Sequence, residues 1–222
     1  MPVNGRLESQ RYRYTLWKPN PVANYKVPLS QAHTDLARQF FRWVGPATLA
    51  EFQWFSGLGV KVTKDAVSPL GLVPVEAGSD RLPLPDDVDA FGKFKTPAKP
   101  QYALVSGLDS ITANRRDVAT LLDAKDQARK AFQEKSVAGG SSLADLPNHA
   151  ILDRGRVIGL WEYDADTASI AWTSFVPKDK ALEAAVKKTE AYVRDQIGDA
   201  RAFSLDSPKS RVPKVEALRK MK

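Results

Sequence analysis

Apolar side chains recur every three or four residues from Ser30 to Val44, at Ala32, Leu36, Ala37, Phe40, Phe41 and Val44. That spacing aligns them on one face of an α-helix, with Ser30 placed to cap its start. Gly45-Pro46 stops the helix, and Thr48-Leu49-Ala50-Glu51 has the capping-box spacing that opens another. Leu49, Phe52 and Phe55 give this second helix one apolar face before Ser56-Gly57 ends it. A third helix is expected over Gly59 to Ser68, halted by Pro69. Two extended segments follow, Leu72 to Glu76 and Arg81 to Leu84, joined by the turn-forming Ala77-Gly78-Ser79-Asp80. Three helices and a β-hairpin make a winged helix-turn-helix, in which the third helix is the candidate for a major groove and the hairpin for the flanking backbone or minor groove.

On either side of this unit the pattern changes. Residues 6 to 17 end in alternation, with Tyr12, Tyr14 and Leu16 on one face, as in a strand; Pro19, Pro21 and Pro28 then mark a linker. Residues 85 to 100, rich in proline, lysine and aspartate, read as a connector. Gln101 to Val105 is a short strand, and Asp117 to Lys135 carries its apolar residues at the mixed spacing of an interrupted helical segment, closed by a Gly139-Gly140-Ser141-Ser142 loop. Ala150 to Asp153, Arg156 to Tyr163 and Ser169 to Phe175 are three strands, turned at Arg154-Gly155 and at Asp164 to Thr167, which predicts an antiparallel meander. Ala181 to Ile197 is an amphipathic helix capped by Gly198, and the basic tail from Pro208 is expected to fray. The fold class is therefore α+β: a winged helix-turn-helix followed by a β-rich domain with an antiparallel meander and a C-terminal helix. The expected divisions are 1–28, strand and linker; 29–97, winged helix; and 98–222, β-rich domain.

With 43% hydrophobic and 27% charged residues, the 222-residue chain has the balance of a folded globular protein rather than a disordered one. Arg38, Arg42 and Glu51 interrupt its most aromatic region, so no membrane partner is expected. The first residues lack an apolar signal core, which makes the cytoplasm the expected location. The absence of cysteine excludes disulfides and thiolate metal sites. His33 and His149, the two histidines, lack metal-ligand spacing, and no glycine-rich loop precedes a lysine as nucleotide hydrolysis requires. Neither a metal nor a small-molecule cofactor is expected. A formal charge of +7 favours a polyanionic partner, because a positive field concentrates nucleic acid at the surface.

Lys61 and Lys64 of the third helix and Arg81 on the wing are the first candidates for phosphate contact, against the alternative of a solvated helix face. Arg115 and Arg116 either grip a phosphate or tie down a carboxylate such as Asp109, the latter being favoured. Arg154 and Arg156 flank the tight turn at Gly155, where they reach a groove or keep a sheet edge soluble. Asp199 and Asp206 have no histidine or second carboxylate tied to them by sequence, so a structural network outweighs catalysis. Gln53 lies between aromatics and is explained by packing and surface hydrogen bonding. The five tryptophans are read as core before base-stacking groups.

Several segments in order carry a family resemblance: Trp43 to Thr48, then Phe52 to Leu58, the Leu108-Asp109-Ser110 turn with Arg115-Arg116, and Gly155 to Trp161. From about Tyr12 to Phe203 the chain resembles the winged-helix DNA-binding family that includes bacterial DNA glycosylases able to unhook interstrand crosslinks. The resemblance implies tandem winged helices before a β-rich domain, with the strand at Tyr12 to Trp17 as the last wing of a preceding unit. It implies double-stranded DNA as partner, with an upstream winged-helix segment or a partner chain as the further candidate. Base excision in that family depends on a glutamine-containing motif near the N-terminus, to which no position here is matched, so the catalytic residues are left unassigned. The expected function is that of a DNA-binding C-terminal portion of a crosslink-repair glycosylase. The alternatives are an active glycosylase with unidentified catalytic residues and a protein-interaction module.

Overall fold

A computed structural model describes residues 15–24, 26–114, 118–129, 146, 148–197 and 207–221. They group into a helical unit, chiefly Pro21–Thr96, and a sheet-centred unit that includes Pro97–Ala113 and the described residues from Val118 onward.

In the helical unit, α1 spans Leu29–Val44, α2 Leu49–Ser56 and α3 Val60–Val67, the last running into a 3-10 turn at Ser68–Leu70. Phe40, Phe41 and Phe52 are buried and meet ring to ring, Phe40 lying 5.3 Å and Phe41 5.9 Å from the Phe52 centroid. Ala37, Val44, Ala47, Ala66, Leu70 and Leu84 complete this core. Helix α1 starts one residue before the expected cap: Pro28, not Ser30, occupies the cap position, and its carbonyl accepts the Ala32 N–H. The capping box at α2 forms as its spacing requires, with Glu51 N–H donating to the Thr48 hydroxyl at 3.0 Å and Thr48 N–H to the Glu51 carboxylate at 2.8 Å. Gly57 ends α2 in the left-handed conformation that costs glycine little.

Two expectations fail beyond α3. Leu72–Glu76 and Arg81–Leu84 do not form a two-stranded ladder: Val75 N–H bonds to the Arg81 carbonyl across the turn, while Leu82 pairs in an isolated antiparallel bridge with Ala47, between α1 and α2. Pro74 and Pro83 each remove a donor that a ladder would use. The stretch read as a connector contains α4, Pro85–Lys93, which has proline at its start, Asp86 and Asp87 in its first turn and Lys93 in its last. Those are favourable positions for each with respect to the helix dipole.

The sheet-centred unit has one four-stranded antiparallel sheet in the order β1 (Tyr102–Val105), β2 (His149–Asp153), β3 (Arg156–Asp164), β4 (Ser169–Ser174). The meander is as expected, with β1 added at its edge. Strands β2 and β3 are joined by the two-residue Arg154-Gly155 turn, in which both residues have positive φ, the backbone twist that suits a tight hairpin. Between β1 and β2 lie a one-turn helix α5 (Ser110–Ala113) and 3-10 turns at Val118–Leu121 and Ala124–Asp126, so the described part of the interrupted segment holds 3-10 structure rather than α-helix. Helix α6, Lys180–Tyr192, continues as a π-turn over Val193–Ile197 and buries Leu182 and Val186 with Ile151, Ile158, Trp161, Tyr163 and Ile170. Of the strand expected over residues 6 to 17, Thr15 to Trp17 are exposed and form no strand, and the earlier residues, the Gly139 loop, the Gly198 cap, and Asp199 and Asp206 lie outside the described residues.

The basic tail does not fray. It forms helix α7, Pro208–Lys220, opened by a Ser207–Ser210 capping box, and Val215 and Leu218 enter a core with Ala150, Leu152, Val157, Leu160 and Ala171. Both faces of β3 are thereby covered, and its seven residues from Val157 to Tyr163 are all buried. Arg219 of α7 donates to Asp164 at 2.6 Å, beside the Thr167 hydroxyl at 2.8 Å and the Asp166 N–H at 3.1 Å. Burial opposes charge on Asp164, but those hydrogen bonds outweigh it and hold its carboxyl below the usual value.

Leu218→Ala is expected to destabilise the protein by about 2 to 5 kcal/mol in urea titration, as a buried leucine does, whereas an unpacked tail would leave the midpoint unmoved. Because the folded pKa of Asp164 is lowered, its contribution is present at neutral pH and lost as pH falls through that lowered value. Asp164→Asn should therefore be less stable than the parent at pH 7, with the two converging in strong acid.

Candidate nucleic-acid interface

Helix α3 is held by one side and exposed on the other. Thr63 and Ala66 are buried, and the Thr63 N–H bonds to the Gly59 carbonyl at the helix start. Lys61 and Lys64, three residues apart and one helical turn from each other, lie on the exposed side. Val60 and Val62 are also solvent-exposed, at 58% and 37%, as is Asp65, so this surface combines two cationic heads and one carboxylate with short apolar contacts.

Arg81 is placed differently. Its guanidinium donates to the Glu51 carboxylate at 3.4 Å and to the Pro46 carbonyl at 3.3 Å. Glu51 is only 4% exposed at its side chain and already accepts the Thr48 N–H, so Arg81 neutralises a buried acid that also caps α2. It joins the loop after α3 to the start of α2, and that engagement competes with any phosphate.

Arg154 is likewise engaged. It grips Asp153 through Nε at 3.1 Å and Nη2 at 2.7 Å, and its Nη1 donates to the Pro97 carbonyl at 3.2 Å. This network holds a non-glycine residue at φ 49°, in the left-handed region. Arg156 projects from the other end of the same turn and pairs with Asp123 at 2.7 Å, its side chain 60% exposed. Arg115 and Arg116 lie outside the described residues. The structure thus places Lys61 and Lys64 together, and leaves the Arg154–Arg156 turn as a separate feature of the sheet-centred unit.

A buried polar cluster went unread in the sequence. Glu162 of β3 is 2% exposed at its side chain; His149 Nε2 lies 3.3 Å from its Oε1, and Asn148 and Lys214 reach its Oε2 at 3.5 and 3.7 Å. His149 Nδ1 accepts the Gly107 N–H at 2.8 Å, which leaves Nε2 to carry the proton toward Glu162. Lys214 belongs to α7, so the cluster fastens that helix to the sheet. The available signal was a carboxylate two residues from Leu160, in phase with the buried side of a strand. Among the described residues, no group of three or more His, Cys, Asp or Glu could hold a metal, and no helix is long and apolar enough to cross a membrane.

The excess charge is distributed unevenly. Residues 21–96 contain eight lysines and arginines against eight acids, whereas residues 207–222 contain six against one. The +7 therefore does not arise in the helical unit, and the cationic character of α3 is local.

Residues 3–203 match the family described as DNA glycosylase AlkZ-like. Among solved structures, the fold is similar to that of Streptomyces sahachiroi DNA glycosylase AlkZ, with a TM-score of 0.55 at 18% identity over 79% of this chain. The chain spans 46% of the length of that structure. Comparison with curated proteins gives no match.

Replacing Arg81 with Ala strands a buried carboxylate, so it should cost about 1 to 3 kcal/mol of stability. Lys61→Ala with Lys64→Ala should stay within about 0.5 kcal/mol of the parent, as exposed substitutions do. Thermal denaturation of the variants side by side checks the contrast, and equal losses would show that the lysines too are structural.

Proposed function

The chain belongs to the AlkZ-like DNA glycosylase family, and we propose that it is a DNA-binding part of such a glycosylase, which meets duplex DNA through the exposed side of α3. The observation that carries this is the division of α3 into a side bound into the core by Thr63 and Ala66 and an outer side bearing Lys61 and Lys64. In the winged helix-turn-helix reading, α3 is the recognition helix and lies in the major groove, with the Leu72–Leu84 loop as a reduced wing beside the backbone. The Ala47–Leu82 bridge supports that reading, because it ties the returning limb of the loop to the segment between α1 and α2. Lys61 and Lys64 neutralise phosphates and release counterions, which supplies affinity without sequence preference. Arg156, whose exposed pair with Asp123 exchanges for a phosphate at little cost, is a second contact from the β2–β3 turn.

The family favours a second function, hydrolysis of the N-glycosidic bond of an alkylated or crosslinked base. No residue is assigned to that step. Incubation of the purified chain with alkylated duplex, followed by an assay for abasic sites, decides it: release of base establishes the activity, and intact duplex leaves binding alone.

Duplex affinity should fall linearly with salt on logarithmic axes. Lys61→Glu with Lys64→Glu should weaken it by about tenfold or more at low salt and flatten the slope by about two, the loss expected for two phosphate contacts. Fluorescence anisotropy of a labelled duplex measures both, and an unchanged slope would remove α3 from the interface.

A further inference from the structure

Helix α4 is unusual in the helical unit because none of its residues is buried. Phe91 is 52% exposed on its last turn and Phe94, which follows the helix, is 70% exposed, each far above what a core or capping phenylalanine would show. Val88 continues the same apolar strip at 40% exposed. The charges along this stretch change sign: Asp86, Asp87 and Asp89 precede the rings, whereas Ala90 to Thr96 holds Lys93 and Lys95 and no acid. Lys93 pairs with Asp89 at 2.7 Å, but both side chains are more than three-quarters exposed, so the pair is weak and exchangeable.

We propose that Phe91 and Phe94, flanked by Lys93 and Lys95, form a stacking platform for DNA with unpaired bases. The inference rests on the DNA-binding reading above and deepens it by naming a second contact and the state of the DNA that fills it. Two flat rings beside two cations, one of them held only by an exposed pair with Asp89, suit a strand whose bases are open to stacking and whose phosphates need neutralising. A fully paired duplex offers such rings only its backbone and groove edges. A helix of a partner protein would use the rings but would not need the lysine pair, and the charge pattern therefore favours the nucleic acid.

The test measures anisotropy of two labelled probes on the full chain, a perfect duplex and the same duplex with a central four-base mismatched bubble. The parent should bind the bubble more tightly than the duplex. Phe91→Ala with Phe94→Ala should cost about tenfold or more on the bubble, as loss of base–aromatic stacking does, and less than about threefold on the duplex. Phe91→Trp with Phe94→Trp should restore the bubble preference, since another flat ring replaces the lost one. Both positions are exposed, so melting temperatures should match the parent and confirm that folding is intact. Equal losses on both probes, or none, would overturn the proposal while leaving duplex binding through α3 in place. Unchanged DNA binding with a fall in apparent mass by light scattering would assign the face to a contact between copies. If the parent binds neither probe, the DNA-binding reading itself fails and this inference with it.

Discussion

The contact of Phe40 and Phe41 with Phe52 is the constraint on which the helical unit depends. Two adjacent rings on α1 close over Phe52 of α2, Phe40 also meeting Phe55 at 5.0 Å, and Ala66 on the inward side of α3 joins the same core. The outward direction of Lys61 and Lys64 is a consequence of that packing rather than of the lysines themselves. Glu51 reinforces it from the edge, since one carboxylate both starts α2 and holds Arg81 in place. A surface able to meet phosphates is therefore set by residues that never touch it.

Elements whose signals are local were legible in the sequence. The capping box at Thr48, the turn at Arg154-Gly155 and the apolar periodicity of α1 and α6 each depend on residues within one or two turns of each other. What was misread depended on distant partners. The Leu72–Leu84 segment has the alternation of a hairpin, but Pro74 and Pro83 deny it the ladder, and its one bridge goes instead to Ala47. Helix α7 looked like a charged tail because Lys209, Lys214, Arg219 and Lys220 dominate its composition. Its burial of Val215 and Leu218 becomes evident only when the second side of the sheet is known to need cover.

The candidate site was legible in the same uneven way. Residue type and helical spacing were enough to place Lys61 and Lys64 on one surface. Nothing in the spacing distinguished them from Arg81, which is consumed by Glu51, because an arginine's partner thirty residues away leaves no periodic trace. Net charge did not locate the site for a related reason: the surplus belongs to the two ends of the sequence, and part of it in α7 is neutralised by Glu162 and Asp164.

With α6 on one side and α7 on the other, both faces of strand β3 are covered, and it runs through the unit as an interior spar. Many sheet proteins lay a strand of nucleic acid across a bare β-surface; at β3 that mode is sterically closed. The hairpin tips stay accessible, with Arg156 at one end and the Asp164 to Thr167 turn at the other. Changes of side chain at those tips can alter recognition without disturbing the spar.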